Sequence, residues 1–111
     1  MKIENPKVSV IVPNYNHASY LRQRIDSILQ QSYPHFEIIL LDDASTDDSV
    51  SIIRSYQNHK NITHCIINSQ NSGSAFAQWK KGIELAKGEW IWIAESDDFA
   101  DSRFLSSLLE R

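Results

Sequence analysis

Two pairs of adjacent aspartates, Asp42-Asp43 and Asp97-Asp98, carry the clearest chemical signal in this 111-residue chain. Each closes a hydrophobic run. Ile38-Ile39-Leu40-Leu41 leads into the first pair, and Trp90-Ile91-Trp92-Ile93-Ala94 passes through Glu95-Ser96 into the second. Carboxylates about 6 Å apart repel by roughly 3 kcal/mol at an effective dielectric near 20. Folding does not require that penalty twice, so a cation or a hydrogen-bonded ligand is the expected reason for both pairs. Glu95-Ser96-Asp97-Asp98 places three carboxylates within four residues. Such hard oxygen ligands suit Mg²⁺ or Mn²⁺ bridging to a diphosphate, where the ion would neutralise charge developing on a phosphate leaving group. Asp42-Asp43 could accept hydrogen bonds from a ring N–H or a ribose hydroxyl without any metal. The structural alternative is that Asp42 caps a loop and Asp43 is solvated.

Other residues could join these pairs. The segment Pro13-Asn14-Tyr15-Asn16-His17 holds none of the three glycines (Gly73, Gly82, Gly88). A glycine-rich phosphate cradle of the dinucleotide-binding type is therefore excluded there. Proline stiffens this segment instead, and Tyr15 offers a flat ring, either for packing or for stacking on a base. Asn16 is expected to initiate a helix. His17, His35, His59 and His64 lack ligand-like spacing, so no zinc site is expected. Trp79 either packs beneath a loop or borders the ligand pocket, and Trp90 and Trp92 are expected in the core.

The elements that must position these groups alternate in type. A β-branched strand spans 8–12, between Pro6 and Pro13. Leu21, Ile25, Ile28 and Leu29 recur at helical spacing, and a second strand follows over 36–41. Ser45 and Asp48 have capping-box spacing before a helix carrying Val50, Ile53, Ile52 and Tyr56. A third strand spans 62–67. Phe76, Trp79, Ile83 and Ala86 share one helical line, with Gly88 beyond. The fourth strand spans 90–94, and Asp101 or Ser102 caps a last helix with a Phe104, Leu105, Leu108 and Leu109 stripe. The order is βαβαβαβα. Strands this apolar need cover on both faces, so the expected fold class is α/β, a Rossmann-like three-layer αβα arrangement around a mainly parallel sheet. Both aspartate pairs then emerge at the carboxyl edge, where open α/β sheets bind ligands.

Length and composition narrow the partners. A chain of 111 residues with 41% hydrophobic residues is one globular domain, expected over 1–111. A formal net charge of −3 argues against nucleic-acid binding through phosphate neutralisation. Cys65 reads as a small core residue, and a single cysteine allows no internal disulfide. No secretion signal or membrane-length apolar run is visible, so a cytoplasmic location is expected. The apolar stripe reaching the last residues suggests a chain cut inside a larger protein.

Taken in order, Val8-Ser9-Val10-Ile11-Val12-Pro13-Asn14-Tyr15-Asn16, Asp42-Asp43-Ala44-Ser45-Thr46-Asp47, Asn71-Ser72-Gly73, Gly82-Ile83-Glu84-Leu85-Ala86-Lys87-Gly88-Glu89-Trp90-Ile91 and Glu95-Ser96-Asp97-Asp98 resemble family 2 glycosyltransferases. No one of these segments is decisive, but five in sequence are specific. The resemblance implies the amino-terminal part of a GT-A fold that uses a nucleotide-diphosphate sugar, a UDP-sugar favoured, and inverts the anomeric carbon. It implies that Tyr15 stacks on the base, that the loop around Pro13 lines the nucleoside pocket and that Asp43 hydrogen-bonds the base. Asp97 falls near the ribose and phosphates, and Asp98 is the ligand of Mn²⁺ or Mg²⁺. The implied acceptor is a glycan or lipid-linked molecule of cell-surface polysaccharide synthesis, reached in the cytoplasm or at the inner face of the membrane. The chain ends thirteen residues after Asp98. The catalytic base is expected beyond Arg111, so no catalytic residue is assigned here, the fragment alone is expected to be inactive, and self-association through the truncated face is anticipated.

Two departures stand out. Glu95 occupies a position where the family often has aspartate. Gln78-Trp79-Lys80 replaces the Ala-Arg-Asn that many members carry, so the arginine contact is not transferred, and Lys80 or Lys81 is the candidate substitute. A receiver-like phosphoacceptor or a haloacid-dehalogenase-type phosphatase would place its acids after the first strand, where this chain has Pro13-Asn14-Tyr15-Asn16. The receiver-like phosphoacceptor and a non-catalytic nucleotide-sugar-binding module are the alternatives.

Overall fold

The computed structural model describes residues 7–96. Within them the chain runs β1 (Val8–Asn14), α1 (Ala18–Leu29), β2 (Phe36–Asp42), α2 (Ser49–Tyr56), β3 (Ile62–Ile67), α3 (Ala75–Leu85) and β4 (Trp90–Ile93). The four strands form one sheet in the order β3-β2-β1-β4, with every neighbouring pair parallel. The expected alternation and parallel sheet are therefore present. The final helix expected near residues 101–109 lies outside the described residues. Among the described residues, no helix is long and apolar enough to cross a membrane.

Strand periodicity divides the core between the two faces of the sheet. Val8, Val10 and Val12 of β1 and Phe36, Ile38 and Leu40 of β2 pack with Leu21, Ile25 and Ile28 of α1 and with Ile53 of α2. The intervening residues Ile11, Ile39 and Leu41 turn to the other face, where Leu85, Ala86 and Ile93 cover them. Burying an isoleucine or leucine completely is worth about 1.5–3 kcal/mol, so the larger cluster dominates the stability. Tyr56 Oη donates to Asp26 Oδ1 at 2.6 Å and ties α2 to α1.

On the α3 face the amino edge of the sheet is polar. Glu37 is 1% exposed, yet Ser9 Oγ, the Lys87 backbone N–H and Thr63 Oγ1 donate to its carboxylate at 2.6, 2.8 and 2.9 Å. Burial alone would raise its pKa, but these donors, with Lys7 nearby, hold it below the ordinary value. Gly88 sits on this network. A Cβ there would lie 2.6 Å from Lys7 O and 2.8 Å from Ser9 N, so the backbones approach too closely for a side chain.

Several expected details differ. α2 begins at Ser49, not near Ser45, because Ser45 hydrogen-bonds Asp42 and no capping box forms. The inward line of α3 is Gln78 and Gly82 with half-buried Lys81 and Leu85, while Phe76 is 69% exposed and Ile83 is 46% exposed. The reason is Gly82: a Cβ there would sit 2.5 Å from Ile11 Cγ2, so the helix lies close on β1 along its small-residue line. Trp90 is 53% exposed because β4 borders only β1 among the described strands. Trp92 is half-buried against the larger cluster and lies under the Arg24 guanidinium, 5.1 Å from it. Cys65 is also only half-buried, on β3 at the opposite end of the strand order.

Candidate functional site

The strand order reverses direction beside β1: the chain moves outward to β2 and β3, then returns to add β4 on the other flank. In open parallel sheets the crevice beyond the carboxyl ends at such a point is where ligands bind. A pocket of about 400 Å³ lies there. The end of β1 and the turn after it contribute Pro13, Asn14, Tyr15 and His17. Asp43 comes from the end of β2, Asn71 and Gly73 from the loop before α3, Ser74, Ala75 and Gln78 from the start of α3, and Glu95 from the end of β4.

Two loops are cross-linked to build the floor. Asn14 is in register with Asp42 across β1 and β2, and its Nδ2 donates to Asp42 Oδ1 at 2.9 Å. Asp42 also accepts the Ser45 N–H and Ser45 Oγ, at 2.9 and 2.6 Å. Asn16 does not cap α1. It adopts φ 54°, its Oδ1 accepts the Thr46 N–H at 2.7 Å, and its own N–H donates to Ser45 Oγ at 2.9 Å. Ala44 is held at φ 63°, a left-handed conformation that costs a non-glycine residue about 1–2 kcal/mol. The flanking bonds impose it: Asp42 grips Ser45 on one side, and Asn71 Nδ2 donates to the Asp43 carbonyl at 3.0 Å on the other. Gly73, at φ 78°, turns the loop into the α3 cap, where Ser74 Oγ accepts the Ala77 N–H at 3.2 Å.

The first aspartate pair needs no cation. Asp42 is fully buried and serves as a staple between loops, consistent with the loop-capping alternative. Asp43 is 6% exposed rather than solvated. Its Oδ1 accepts Asn68 Nδ2 at 2.9 Å and the Ser72 N–H at 2.7 Å, and its Oδ2 accepts Ser72 Oγ at 2.7 Å. Burial pushes the Asp43 pKa up, but the Ser72 and Asn68 bonds and the Lys81 charge prevail and hold the carboxyl below its ordinary range. A carboxylate has about four acceptor positions, so three donors leave Asp43 able to take one more from a ligand.

Of the residues assigned from sequence, Pro13, Tyr15 and Asp43 line the same pocket, with Tyr15 46% exposed. Asp97 and Asp98 lie outside the described residues, but Glu95 and Ser96 bring the chain to the pocket's edge. Glu95 Oε1 accepts Trp79 Nε1 at 3.1 Å, so Trp79 steadies a pocket acid from the side instead of packing beneath the loop. Lys81 Nζ donates to Asn68 Oδ1 at 2.7 Å, while Lys80 is exposed. Among the described residues no group of three or more His, Cys, Asp or Glu could hold a metal ion.

The sequence assigned no site role to Asn14, His17, Asn68, Ser72 or Gln78. His17 Nδ1 lies 2.9 Å from the Oγ of fully buried Ser96 and links the turn after β1 to the end of β4. Gln78 left a further signal: it stands four residues before Gly82, on the same line of α3.

The family model described as glycosyl transferase family 2 matches residues 9–111. The chain is 40% identical over 93 residues to the putative teichuronic acid biosynthesis glycosyltransferase TuaG of Bacillus subtilis strain 168, covering 84% of this chain and 36% of that protein. Among solved structures it is similar to S. aureus TarS 1–349 in complex with UDP-GlcNAc. There the TM-score is 0.85 and the identity 31%, over 94% of this chain and 30% of that one. It is also similar to the mannosyltransferase PcManGT of Pyrobaculum calidifontis, in complex with GDP-Man and Mn²⁺. In that case the TM-score is 0.74 and the identity 32%, over 85% of this chain and 28% of that one. The chain thus spans about a third of the length of TuaG and of the Streptococcus pneumoniae glycosyltransferase GlyG, and less than a fifth of longer relatives such as the S. aureus TarS protein. The sheet and its helices correspond to the amino-terminal, Rossmann-like part of the GT-A fold in TarS. On the match over residues 9–111 and these likenesses, the chain belongs to glycosyl transferase family 2.

Proposed function

We propose that residues 1–111 form the donor-binding domain of an inverting glycosyltransferase that takes a nucleotide-diphosphate sugar, with a UDP-sugar favoured. The observation that carries this reading is the joint placement of Pro13, Tyr15 and an ionised Asp43 in one pocket at the reversal of strand order. Pro13 lines the nucleoside site, Tyr15 offers an exposed ring face on which a base can stack, and Asp43 holds a hydrogen-bond acceptor ready for a ring N–H. Solved neighbours support a nucleotide ligand: TarS structures hold UDP-GlcNAc or UDP, and PcManGT holds GDP-Man with Mn²⁺.

The described acids do not make a cation site, since Asp42 and Asp43 are taken up by protein donors. In this reading Asp98 binds Mn²⁺ or Mg²⁺ and Asp97 lies by the ribose and phosphates. A divalent ion there would offset charge on the departing diphosphate. The chain's own part is to orient the donor, and the catalytic base comes from residues beyond Arg111, so these 111 residues alone bind donor without transferring sugar. The acceptor is a glycan or lipid-linked molecule of cell-surface polysaccharide synthesis, a reading supported by the teichuronic acid assignment of TuaG. The site of action is the cytoplasm or the inner face of the membrane, and the face bearing Phe76 and Ile83 is available for self-association or for the remainder of the protein.

Calorimetry with UDP tests this. Wild type is expected to bind, more tightly with Mn²⁺, and Asp43→Asn and Tyr15→Ala are each expected to weaken binding about tenfold, in line with a lost charged hydrogen bond and a lost stack. The assignment fails if wild type binds neither UDP nor GDP, or if both substitutions leave affinity unchanged.

A further inference from the structure

β4 is the shortest of the four strands. Among the described strands it pairs only with β1, and its register there ends at Ile93 opposite Ile11. The Ala94 N–H adds one more backbone bond, to the Ile11 carbonyl at 2.7 Å. Beyond that point the chain still has to carry Glu95 along the pocket wall, and side chains take over the holding.

Two side chains grip this stretch, each from a different element. Trp79 Nε1, on α3, donates to Glu95 Oε1 at 3.1 Å. His17 Nδ1, at the start of α1, lies 2.9 Å from the Oγ of fully buried Ser96. A serine hydroxyl can donate or accept, so this contact suits either tautomer of the ring. α1 packs on one face of the sheet and α3 on the other, so the end of β4 is held from both sides. The anchors are themselves fixed. The His17 carbonyl accepts the Tyr20 and Leu21 N–H groups at 2.9 Å, and the adjacent Ala18 N–H donates to Asp47 Oδ2 at 2.9 Å. Trp79 follows buried Gln78 on a helix whose Gly82 rests against Ile11.

Trp79 and Glu95 also belong to the two places where the sequence departs from the family pattern, and the departures meet in one hydrogen bond. An aspartate at position 95, shorter by one methylene, would leave the indole N–H without its acceptor. The longer acid and the indole are therefore a matched pair.

We infer that Trp79 and His17 are positioning residues for the diphosphate end of the nucleotide: by fixing Glu95 and Ser96 they set the point from which the acidic segment starts. The inference rests on the nucleotide reading above and deepens it. Trp79 does not line the pocket, so its effect on a ligand passes through Glu95. The base end is built without it, since Asp43 is held by Asn68 and Ser72. Holding a wall segment in place before the ligand arrives lowers the ordering cost of binding.

The test titrates UDP and uridine, the second lacking both phosphates, into the 111-residue chain, with Mn²⁺ in every sample. Trp79→Phe keeps an aromatic ring and removes the N–H. It is expected to weaken UDP binding about fivefold, as the loss of one hydrogen bond does, and to leave uridine within about twofold. Glu95→Asp is expected to weaken UDP as well, and adding Trp79→Phe to it is expected to cause no further loss, because the bond is already gone. His17→Ala is expected to weaken UDP, and His17→Asn, whose amide can pair with a hydroxyl in either role, to recover most of that loss. Unchanged UDP affinity in Trp79→Phe, equal losses for UDP and uridine, or additive losses in the double variant overturn the positioning role while leaving the nucleotide reading intact. No recovery in His17→Asn removes His17 from the pair. If His17→Ala does not fold, Trp79→Phe and the double variant decide. Failure of wild type to bind UDP removes both readings.

Discussion

Strand β2 carries a buried carboxylate near each end, and the two have opposite fates. Glu37 at the amino edge and Asp43 just past the carboxyl edge are 1% and 6% exposed, and each accepts three hydrogen bonds from the protein. In both, burial is outweighed by those donors and the pKa is lowered. Around Glu37 the network closes on itself through Ser9, Thr63, Lys87 and Gly88. Around Asp43 it opens onto the pocket that Pro13, Tyr15 and Gln78 also line. A buried, ionised carboxylate is thus no mark of a site by itself; what sets Asp43 apart is the pocket it borders.

Glu37→Ala probes this contrast with the largest expected effect. It leaves buried Ser9 Oγ, together with the more exposed Lys87 N–H and Thr63 Oγ1, without their shared acceptor and should destabilise the fold by about 3 kcal/mol in urea unfolding. UDP affinity of the folded protein should stay within about twofold of wild type, because the pocket lies at the other edge. A comparable loss of UDP binding would show that the two edges act as one.

The glycines give the next effect. Gly88→Ala should cost about 2 kcal/mol, because its Cβ would strike Lys7 and Ser9 backbone atoms that cannot move aside. Gly82→Ala should cost less, about 1 kcal/mol, since the clash is with the Ile11 side chain, but the shift of α3 should disturb Gln78 and weaken UDP binding. Unfolding and calorimetry on both variants separate the sealed edge from the open one.

The smallest effect is in the acid limb of stability. The ordinary pKa values are 4.5 for Glu37 and 3.8 for Asp43, and both are lowered by folding. Their contributions are therefore complete above those ordinary values and are lost as pH falls through the lowered ones. Urea titrations down to about pH 3 should show a shallower acid limb for Glu37→Gln and for Asp43→Asn, and saturating UDP should steepen the limb only where Asp43 is present.

Much of the fold was legible because its signals are local. Runs such as 36–41 and 62–67 are short and rich in β-branched or aromatic residues, as strands are, and Leu21, Ile25 and Ile28 repeat at helical spacing, so the alternation and the carboxyl-edge placement of Asp43 followed. Caps and helix faces depend on neighbours that are distant in the chain. Ser45 spaced from Asp48 imitates a capping box, but Asp42 offers a nearer partner, and that partner is a tertiary neighbour of Asn14. Phe76, Trp79 and Ile83 form an apolar line, yet α3 turns Gly82 inward, against Ile11 of β1.

What the chain determined by itself was the order of elements, the edge at which Asp43 emerges and the family to which it belongs. Periodicity and short-range chemistry carry those. Only tertiary structure decided that Asp42 is a staple, that Asp43 remains available to a ligand, and that Lys81 orients Gln78 through Asn68. Such roles depend on which donors meet which acceptors between segments 10 to 28 residues apart, as Asn68 meets Gln78 and Asn14 meets Asp42, and no local pattern encodes those meetings.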